Sequence, residues 1–218
     1  MPYFTTSDER PDARQYAAST ERNRMPILTV LRQVLPPEGT VLEIASGTGQ
    51  HAAFFAPQLV PRYWLPSDPQ PQLRASIQAW RERSDAASLL PPVDIDAAAP
   101  DWNVAAALPP DIPDITAIVN INMIHISPWA AGQGLLAGAG GLLPENGVLY
   151  LYGPYRRGGQ HTAPSNAEFD AWLQSQNPAW GVRDLDAVTA IAEDEGLALD
   201  QVVEMPANNL SVVFRKAA

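Results

Sequence analysis

Residues 40–51 read TVLEIASGTGQH, an apolar run that ends at Glu43-Ile44 and continues into a turn of small residues. The next residues, 52–56, are apolar and predict the start of a helix. In a strand–turn–helix unit of this kind, small side chains let a ligand approach the backbone, and the helix N-terminus offers unpaired N–H groups. We therefore expect residues 40–56 to form a nucleotide-binding element.

The residues of this turn narrow the choice of ligand. A Walker P-loop would end in Gly-Lys-Ser/Thr, and that ending is missing. Gly47 and Gly49 give only Gly-x-Gly, and Ala52 stands where a dinucleotide fingerprint has its third glycine. Glu43 disfavours a phosphate and can accept hydrogen bonds from hydroxyl or ammonium groups. These features favour S-adenosylmethionine over ATP or NAD.

Composition sets the broad class of the protein. The chain has 218 residues, of which 46% are hydrophobic, so one α/β domain with a packed core is expected over 1–218. No apolar run approaches the 18 residues of a membrane span, and the polar N-terminus lacks an apolar signal core, so we expect a cytoplasmic protein without membrane contact. Cysteine is absent, which excludes disulfides, thiolate nucleophiles and cysteine zinc sites.

Charge bears on the partners of the protein. The formal net charge is −10 and the pI about 4.6, whereas nucleic-acid binders usually carry a basic surface. A small neutral or cationic substrate fits this charge better than DNA or RNA. Three histidines, at 51, 125 and 161, match no zinc-binding spacing, so no metal site is predicted.

Strand and helix patterns alternate along the chain, which is typical of a parallel sheet covered on both faces. Strands are predicted at 40–44, 63–65, 92–95, 115–121, 147–152, 199–204 and 210–215. Helices are predicted at 21–35, 50–59, 70–84, 129–143, 167–175 and 185–195. The last two strands are joined too closely to be parallel. The expected fold is therefore α/β and doubly wound, with a mostly parallel seven-stranded sheet and an antiparallel C-terminal strand.

Two acids follow predicted strands at the edge where doubly wound folds bind ligands. Asp68, after the second strand, can accept both hydroxyls of a ribose, and the alternative is a helix N-cap in Ser67-Asp68-Pro69. The glycine turn before it favours the ribose. Asp96 can accept the amino group of adenine or simply stabilise a turn, and its sequence context leaves both open.

Several segments together resemble the methyltransferase-like 26 family, which is also classified as domain of unknown function 938. The most specific is NINMIHISPW at 120–129, and the others are ERN at 21–23, MPIL at 25–28, VLEIASGTG at 41–49, GQH at 49–51, PSD at 66–68, LYGPY at 151–155 and PANNL at 206–210. The resemblance covers most of the chain. It implies a class I S-adenosylmethionine-dependent methyltransferase fold, with residues 1–39 as an N-terminal helical cap over the cofactor site.

The resemblance implies a set of cofactor-binding residues. The turn would line the methionine part of S-adenosylmethionine, Asp68 would hold the ribose and Asp96 would lie near adenine. The candidates are Asn23, Arg24, Glu43, Ala45, Ser46, Gly47, Thr48, Gly49, His51, Asp68, Asp96 and Asn120. One departure from the broad methyltransferase pattern is Ala45, where glycine is usual. The added methyl group is tolerable unless the backbone there needs a positive φ.

Substrate-facing candidates lie further along the chain. His125 follows the fourth strand and is a candidate general base, with a structural histidine as the alternative. Candidate substrate-binding residues are Asn122, Tyr155, His161 and Asn166. Residues 156–166 form a polar, glycine-containing segment, which is either a lid over the site or an ordinary surface loop. Asn208-Asn209 predicts a turn, because Asn tolerates the left-handed conformation.

The sequence thus predicts a methyltransferase that transfers the methyl group of S-adenosylmethionine to an O, N or S atom of a small molecule and releases S-adenosylhomocysteine. Two alternatives remain open. One is a non-catalytic S-adenosylmethionine-binding protein that acts through a partner, and the other is a NAD-dependent oxidoreductase, which the incomplete glycine fingerprint disfavours. The sequence leaves the substrate and the oligomeric state open.

Overall fold

A computed structural model describes residues 13–104 and 108–217 of the chain. Their contacts divide them into two compact units. The first holds the described residues up to Asp96 and those between Asn103 and Ala117, and the second holds Ala97–Trp102 and the residues from Ile118 onward. The expectations for the polar N-terminus concern residues 1–12, which lie outside the described residues.

The first unit contains the predicted strand–turn–helix element. Its helices and strands are α1 (Ala18–Val34), β1 (Thr40–Ile44), α2 (Gln50–Phe55), β2 (Tyr63–Pro66) and α3 (Pro71–Glu82). All five residues of β1 are buried, and β1 pairs in parallel with β2. A short 3-10 helix, Ala56–Gln58, follows α2, because Pro57 cannot continue the α-helical hydrogen bonding.

The strand β3 (Ile115–Ile121) begins in the first unit and ends in the second. The described residues of the second unit then contain 3-10 helices at Met123–His125 and Pro206–Asn208, three α-helices and five strands. In chain order these helices and strands are α4 (Trp129–Leu142), β4 (Val148–Gly153), β5 (Arg156–Arg157), β6 (Gln160–His161), α5 (Pro164–Gln176), α6 (Leu185–Asp194), β7 (Leu197–Met205) and β8 (Asn209–Lys216).

The main sheet has the strand order β2-β1-β3-β4-β8-β7. The last strand of the chain, β8, lies between β4 and β7 and is antiparallel to both. The fold class is therefore confirmed: an α/β protein with a mostly parallel sheet, an antiparallel C-terminal strand and surrounding helices.

The predicted strand at 92–95 is wrong for the described residues, so the sheet has six strands in place of seven. Val93 makes only an isolated parallel bridge with Ser67, and Leu89 makes another with Trp64. Pro91 and Pro92 have no N–H to donate, so the segment cannot form a continuous ladder. It still covers the outer edge of β2 through single hydrogen bonds such as Leu90 N to the Trp64 carbonyl (2.9 Å).

The polar segment 156–166 holds structure that the sequence did not indicate. A two-stranded hairpin, β5–β6, pairs Arg156 with His161, and α5 begins at Pro164, where a helix was expected from 167. Proline at the first helical position fits the start of a helix because its missing N–H has no partner there anyway. The turn predicted at 208–209 is confirmed at Asn208, whose φ is 57°.

Each unit has its own buried apolar residues. In the first, Leu42, Phe55 and Trp64 are at most 1% exposed, and the Phe55 and Trp64 rings lie 5.5 Å apart. In the second, Phe214 and Tyr150 are fully buried, and the Tyr150 hydroxyl is 2.6 Å from Ser211 Oγ. No helix among the described residues has the length and apolar character that crossing a membrane requires.

Candidate functional site

The turn after β1 is built from left-handed backbone conformations at alternate residues. The φ angles of Ala45, Gly47 and Gly49 are 56°, 57° and 86°. A Cβ atom at Gly49 would lie 2.7 Å from the Cα atom of Ile77 on α3, so only glycine lets the two segments come this close. The backbone between β1 and α2 is thereby fixed in the tight form that the sequence predicts.

Glu43 is buried at the end of β1 and is held on several sides. Its carboxylate accepts a hydrogen bond from Trp64 Nε1 (3.0 Å), and its carbonyl accepts bonds from Ser67 N (2.9 Å) and Ser67 Oγ (2.7 Å). Trp64 and Ser67 were not among the predicted site residues. Their positions could have indicated them, because Trp64 lies in β2, the strand that pairs with β1, and Ser67 follows β2 directly.

Burial is the main influence on the ionisation of Glu43. Desolvation raises the pKa of this carboxyl from its ordinary value to about 7, and the charge of Asp68 acts in the same direction. Hydrogen bonds with Trp64 and Ser46 lower the pKa and only partly offset burial. A carboxyl group in this position changes its charge near neutral pH.

Asp68 joins the end of β2 to the glycine turn. Its Oδ2 accepts a hydrogen bond from Gly47 N (3.1 Å), and its Oδ1 accepts one from Gln70 N (3.0 Å), just before α3. The second bond closes a turn before α3, whose N-cap is Gln70, so the alternative of Asp68 as the helix cap is wrong. The first bond ties the acid to the candidate cofactor turn. Burial raises the pKa of Asp68, whereas the hydrogen bonds from Gln70 N and Gly47 N lower it.

The two α1 candidates, Asn23 and Arg24, have different partners. Asn23 Oδ1 lies 2.8 Å from His51 Nε2, at the start of α2. Arg24 instead forms an ion pair with Glu21 (2.6 Å) and lies over the Phe54 ring. Burial, followed by the charge of Arg24, lowers the pKa of His51 to about 3, so this imidazole is neutral at physiological pH.

Two residues that the sequence analysis did not single out connect the N-terminal segment to the turn. Gln50 Oε1 accepts hydrogen bonds from Ala17 N (2.5 Å) and Thr48 Oγ1 (3.3 Å). Ser76 Oγ accepts a hydrogen bond from Gln15 N (2.8 Å) and donates one to the Thr48 carbonyl (2.7 Å). The segment before α1 is therefore fastened to the same backbone that forms the candidate cofactor site.

Ser46 and Asp96 differ in their surroundings. Ser46 Oγ donates to the Glu43 carbonyl (3.3 Å) and accepts from Ser67 N (3.1 Å), so it is part of the framework of the turn. Asp96 is exposed at the end of its segment of the first unit. Its expected contact with adenine stays a prediction.

In the second unit, His125 is fully buried in the 3-10 helix after β3. Its Nδ1 accepts a hydrogen bond from Arg183 N (3.3 Å), and its carbonyl accepts one from Gly181 N (3.0 Å). In the neutral ring this places the proton on Nε2. Burial, followed by the charge of Arg183, lowers its pKa to about 3.

The other candidates of this region lie on β3 or follow it. Asn120 is fully buried on β3, and Asn122 follows with a φ of 66°. The Tyr155 ring meets the His125 ring edge to face at a centroid distance of 4.8 Å. A Cβ atom at Gly153 would overlap the His125 ring, so packing against His125 requires a glycine at this position of the LYGPY segment.

His161, on β6, lies next to an acid that the sequence analysis did not identify. Its Nε2 is 3.3 Å from Asp170 Oδ2 on α5. Asp170 is 6% exposed, and its Oδ1 accepts hydrogen bonds from Val182 N (2.7 Å) and Gln174 Nε2 (3.2 Å). An acid within a helical pattern was the available signal, but two of its three partners, His161 and Val182, lie outside that helix.

Asn166 has a structural set of contacts. Its Nδ2 donates to Thr162 Oγ1 (3.0 Å) and to the Asn208 carbonyl (2.9 Å). It therefore holds the β5–β6 hairpin, the start of α5 and the 206–209 turn together. Its predicted contact with a substrate stays a prediction.

With this geometry in place, known proteins can be compared. Residues 14–216 match the family described as Protein of unknown function (DUF938). The chain belongs to this family. The DUF938 family description itself assigns no activity.

Solved structures resemble this DUF938 protein over 92% of its length. One is an O-methyltransferase family protein from Burkholderia thailandensis, with 14% identity and a TM-score of 0.73. Another is human N-acetylserotonin methyltransferase in complex with S-adenosylmethionine, with 12% identity and a TM-score of 0.72. A third is the mitomycin 7-O-methyltransferase MmcR, with 14% identity and a TM-score of 0.72. At such identities the likeness shows a class I methyltransferase fold.

The DUF938 chain spans little more than half the length of these structures, 58%, 53% and 55% of each in turn. Among the described residues, no group of three or more His, Asp or Glu side chains is arranged to hold a metal ion.

Proposed function

We propose that this protein is an S-adenosylmethionine-dependent methyltransferase that acts on a small molecule, and that it is a member of the methyltransferase-like 26 family. The observation that carries the proposal is the turn after β1. Its left-handed residues Ala45, Gly47 and Gly49 are tied to the end of β2 by the bond from Gly47 N to Asp68. The resemblance of the fold to methyltransferases supports the same reading.

The groups present fit S-adenosylmethionine in kind. Each carboxylate oxygen of Asp68 accepts one backbone N–H, and a carboxylate oxygen has two acceptor positions. Asp68 therefore retains acceptor capacity for ribose hydroxyls. Glu43 and the turn carbonyls offer acceptors for the ligand's ammonium group. A net charge of −10 also favours the approach of a cationic ligand.

S-adenosylmethionine supplies a methyl group on a sulfonium, which makes the methyl carbon electrophilic. When bound, it would supply this methyl group to an O, N or S atom of the substrate, with S-adenosylhomocysteine as the product. The protein contributes mainly by holding the reactants in line. A proton of the attacking group, where present, passes to a base of the protein or to solvent.

The predicted base, His125, stays a prediction, and its contacts favour the structural alternative. A base needs a free lone pair and a pKa near the working pH. Nδ1 of His125 already accepts the Arg183 N–H, and burial lowers its pKa to about 3. We assign it to positioning of the 181–183 segment.

Isothermal titration calorimetry with S-adenosylmethionine and S-adenosylhomocysteine tests the cofactor proposal. We expect binding of both, and about 10- to 100-fold weaker binding by Asp68→Asn, since hydrogen bonds to a charged group contribute about 1.5–3 kcal/mol. Asp85→Asn removes an exposed carboxylate of the same unit and should bind normally. The proposal is refuted if neither ligand gives a heat of binding at millimolar concentration, or if NADH binds in preference to both.

A further inference from the structure

The β5–β6 hairpin places an arginine and a histidine side by side. Arg156 and His161 are directly paired in its antiparallel register. Directly opposed residues of such a pair have their side chains on the same face, with Cβ atoms about 5 Å apart. Both side chains therefore point to one side of the hairpin.

Asp170 determines which nitrogen of His161 carries the proton. Its Oδ2 faces His161 Nε2 at 3.3 Å, while its Oδ1 is held by Val182 N and Gln174 Nε2. A carboxylate beside Nε2 favours the tautomer with the proton on that nitrogen. Nδ1 is then an acceptor with a free lone pair.

Neither this acceptor nor a neighbouring donor has a hydrogen-bond partner among the described residues. Among the residues that the structure describes, His161 Nδ1 and Arg156 Nε are buried atoms without a hydrogen-bond partner. Leaving a buried polar group unsatisfied costs about 1–3 kcal/mol, so such atoms call for an explanation. Two of them on one hairpin face point to a ligand.

The two atoms specify the chemistry of that ligand. Arg156 Nε–H donates, and His161 Nδ1 accepts. A hydroxyl group satisfies both at once, because its O–H donates to the imidazole and its oxygen accepts from the guanidinium. A carboxylate cannot donate and an ammonium cannot accept, so neither satisfies the pair.

We propose that Arg156 and His161 bind a hydroxyl group of a small molecule, with His161 Nδ1 accepting the hydrogen bond from its O–H and Asp170 acting as the positioning residue. The positive charge of Arg156 strengthens the hydrogen bond that its Nε–H donates to the hydroxyl oxygen.

Nuclear magnetic resonance of the histidine rings gives a test that needs no turnover. Long-range ¹H–¹⁵N spectra resolve the three histidines of the chain, and His161→Asn assigns the relevant signals. We expect His161 to carry its proton on Nε2. Phenol, the probe, should shift the His161 Nδ1 resonance at up to roughly 10 mM, a concentration that detects weak binding. Anisole, which has the oxygen but no hydroxyl proton, should not shift it.

Two variants connect this phenol-induced shift to the proposed residues. In Asp170→Asn the new amide N–H faces Nε2, so the His161 proton should move to Nδ1 and phenol affinity should fall about tenfold. Arg156→Lys should also weaken phenol binding. The matched controls are Asp200→Asn and Arg157→Lys, which alter ion pairs with Arg215 and Glu204 and should leave the phenol-induced shift unchanged.

The proposal is overturned if phenol leaves His161 Nδ1 unshifted, if anisole shifts it equally, or if Asp170→Asn retains wild-type tautomer and affinity. A site that holds only water would give the first of these results. Calorimetry with S-adenosylmethionine on the same samples separates the two proposals. Cofactor binding without a phenol response refutes the hydroxyl site alone, whereas a phenol response without cofactor binding refutes the methyltransferase proposal alone.

Discussion

Ala45 adopts a φ of 56°, a conformation that costs a residue with a Cβ about 1–2 kcal/mol. The sequence identified it as the one departure from the glycine usual at this place and made its tolerance conditional on a negative φ. In the structure the φ of Ala45 is positive. The alanine methyl group is therefore held under backbone strain within the candidate cofactor turn.

Ala45→Gly should stabilise the protein. Relief of the strain exceeds the added flexibility of the unfolded chain, about 0.4–1 kcal/mol, so we expect a net gain of about 0.5–1 kcal/mol in the free energy of unfolding. Urea denaturation measures it. Ala52→Gly, in the helical conformation of α2, is the control and should lose about 1 kcal/mol. Destabilisation by Ala45→Gly would show that the methyl group contributes packing that outweighs its strain.

Glu43 has a raised pKa of about 7, so its carboxyl is neutral in the folded protein at pH 5 and charged at pH 8. The Glu43 carboxyl binds fewer protons in the unfolded chain than in the folded one between about pH 4.5 and 7, so the contribution of Glu43 to stability falls as pH rises through this range. Glu43→Gln removes this loss. Relative to wild type, it should gain about 1–3 kcal/mol between pH 5 and pH 8 in urea denaturation. An equal difference at both pH values would contradict the raised pKa.

At the residue scale, sequence reasoning finds positions that a motif places at strand ends. Asp68 and Gly47 are such a pair, and a hydrogen bond joins them. Sequence reasoning does not find residues whose partners are distant in sequence. Ser76 bonds to Gln15, 61 positions away, and nothing local in either segment indicates the other.

At the scale of elements, the best-predicted strands are the buried ones. β1 and β3 have the predicted bounds because a short, mostly apolar run rich in β-branched residues has few alternatives to a parallel strand with both faces covered. The β5–β6 hairpin was missed because each of its strands has only two residues. Two residues are too few to display a period.

The segment before α1 is an element held by side chains of other elements, and Ser76 provides its central contact. Ser76→Ala removes the bonds to Gln15 N and the Thr48 carbonyl and leaves buried polar groups unsatisfied, so the protein should lose about 1–3 kcal/mol of stability. Trypsin should also cleave faster after Arg14. Ser175→Ala, at an exposed serine of α5, should change stability by less than about 0.5 kcal/mol. Unchanged cleavage would refute the fastening role of Ser76.

At the scale of the whole molecule, each compact unit contains one histidine that burial keeps neutral. His51 lies in the first unit and His125 in the second, and both have pKa values lowered to about 3. The unfolded chain protonates them below about pH 6.5 while the folded protein does not. Stability from both residues is present above pH 6.5 and is lost progressively as pH falls towards 3.

Two carboxyl groups with raised pKa values oppose this loss of stability over part of the pH range. Glu43 binds its proton more readily in the folded protein between about pH 7 and 4.5, and the raised pKa of Asp68 acts in the same direction. Each proton changes the slope of stability by about 1.4 kcal/mol per pH unit. With two histidines acting against one or two carboxyl groups, the stability of the wild type should fall by at most about 1.4 kcal/mol per pH unit as pH falls from about 6.5 to 4.5, and more steeply below that.

His125→Asn separates the histidine contribution from the rest. Asparagine cannot take up the proton in the unfolded chain, so between pH 6 and 4.5 the variant should lose about 1.4 kcal/mol per pH unit less than wild type. The packing that the imidazole provides is lost equally at every pH, so it lowers the whole curve without changing its slope. Urea midpoints at pH 7, 6, 5 and 4.5 give that slope. Parallel curves for variant and wild type would mean that His125 titrates in the folded protein as it does in the unfolded chain, and that its burial does not keep it neutral.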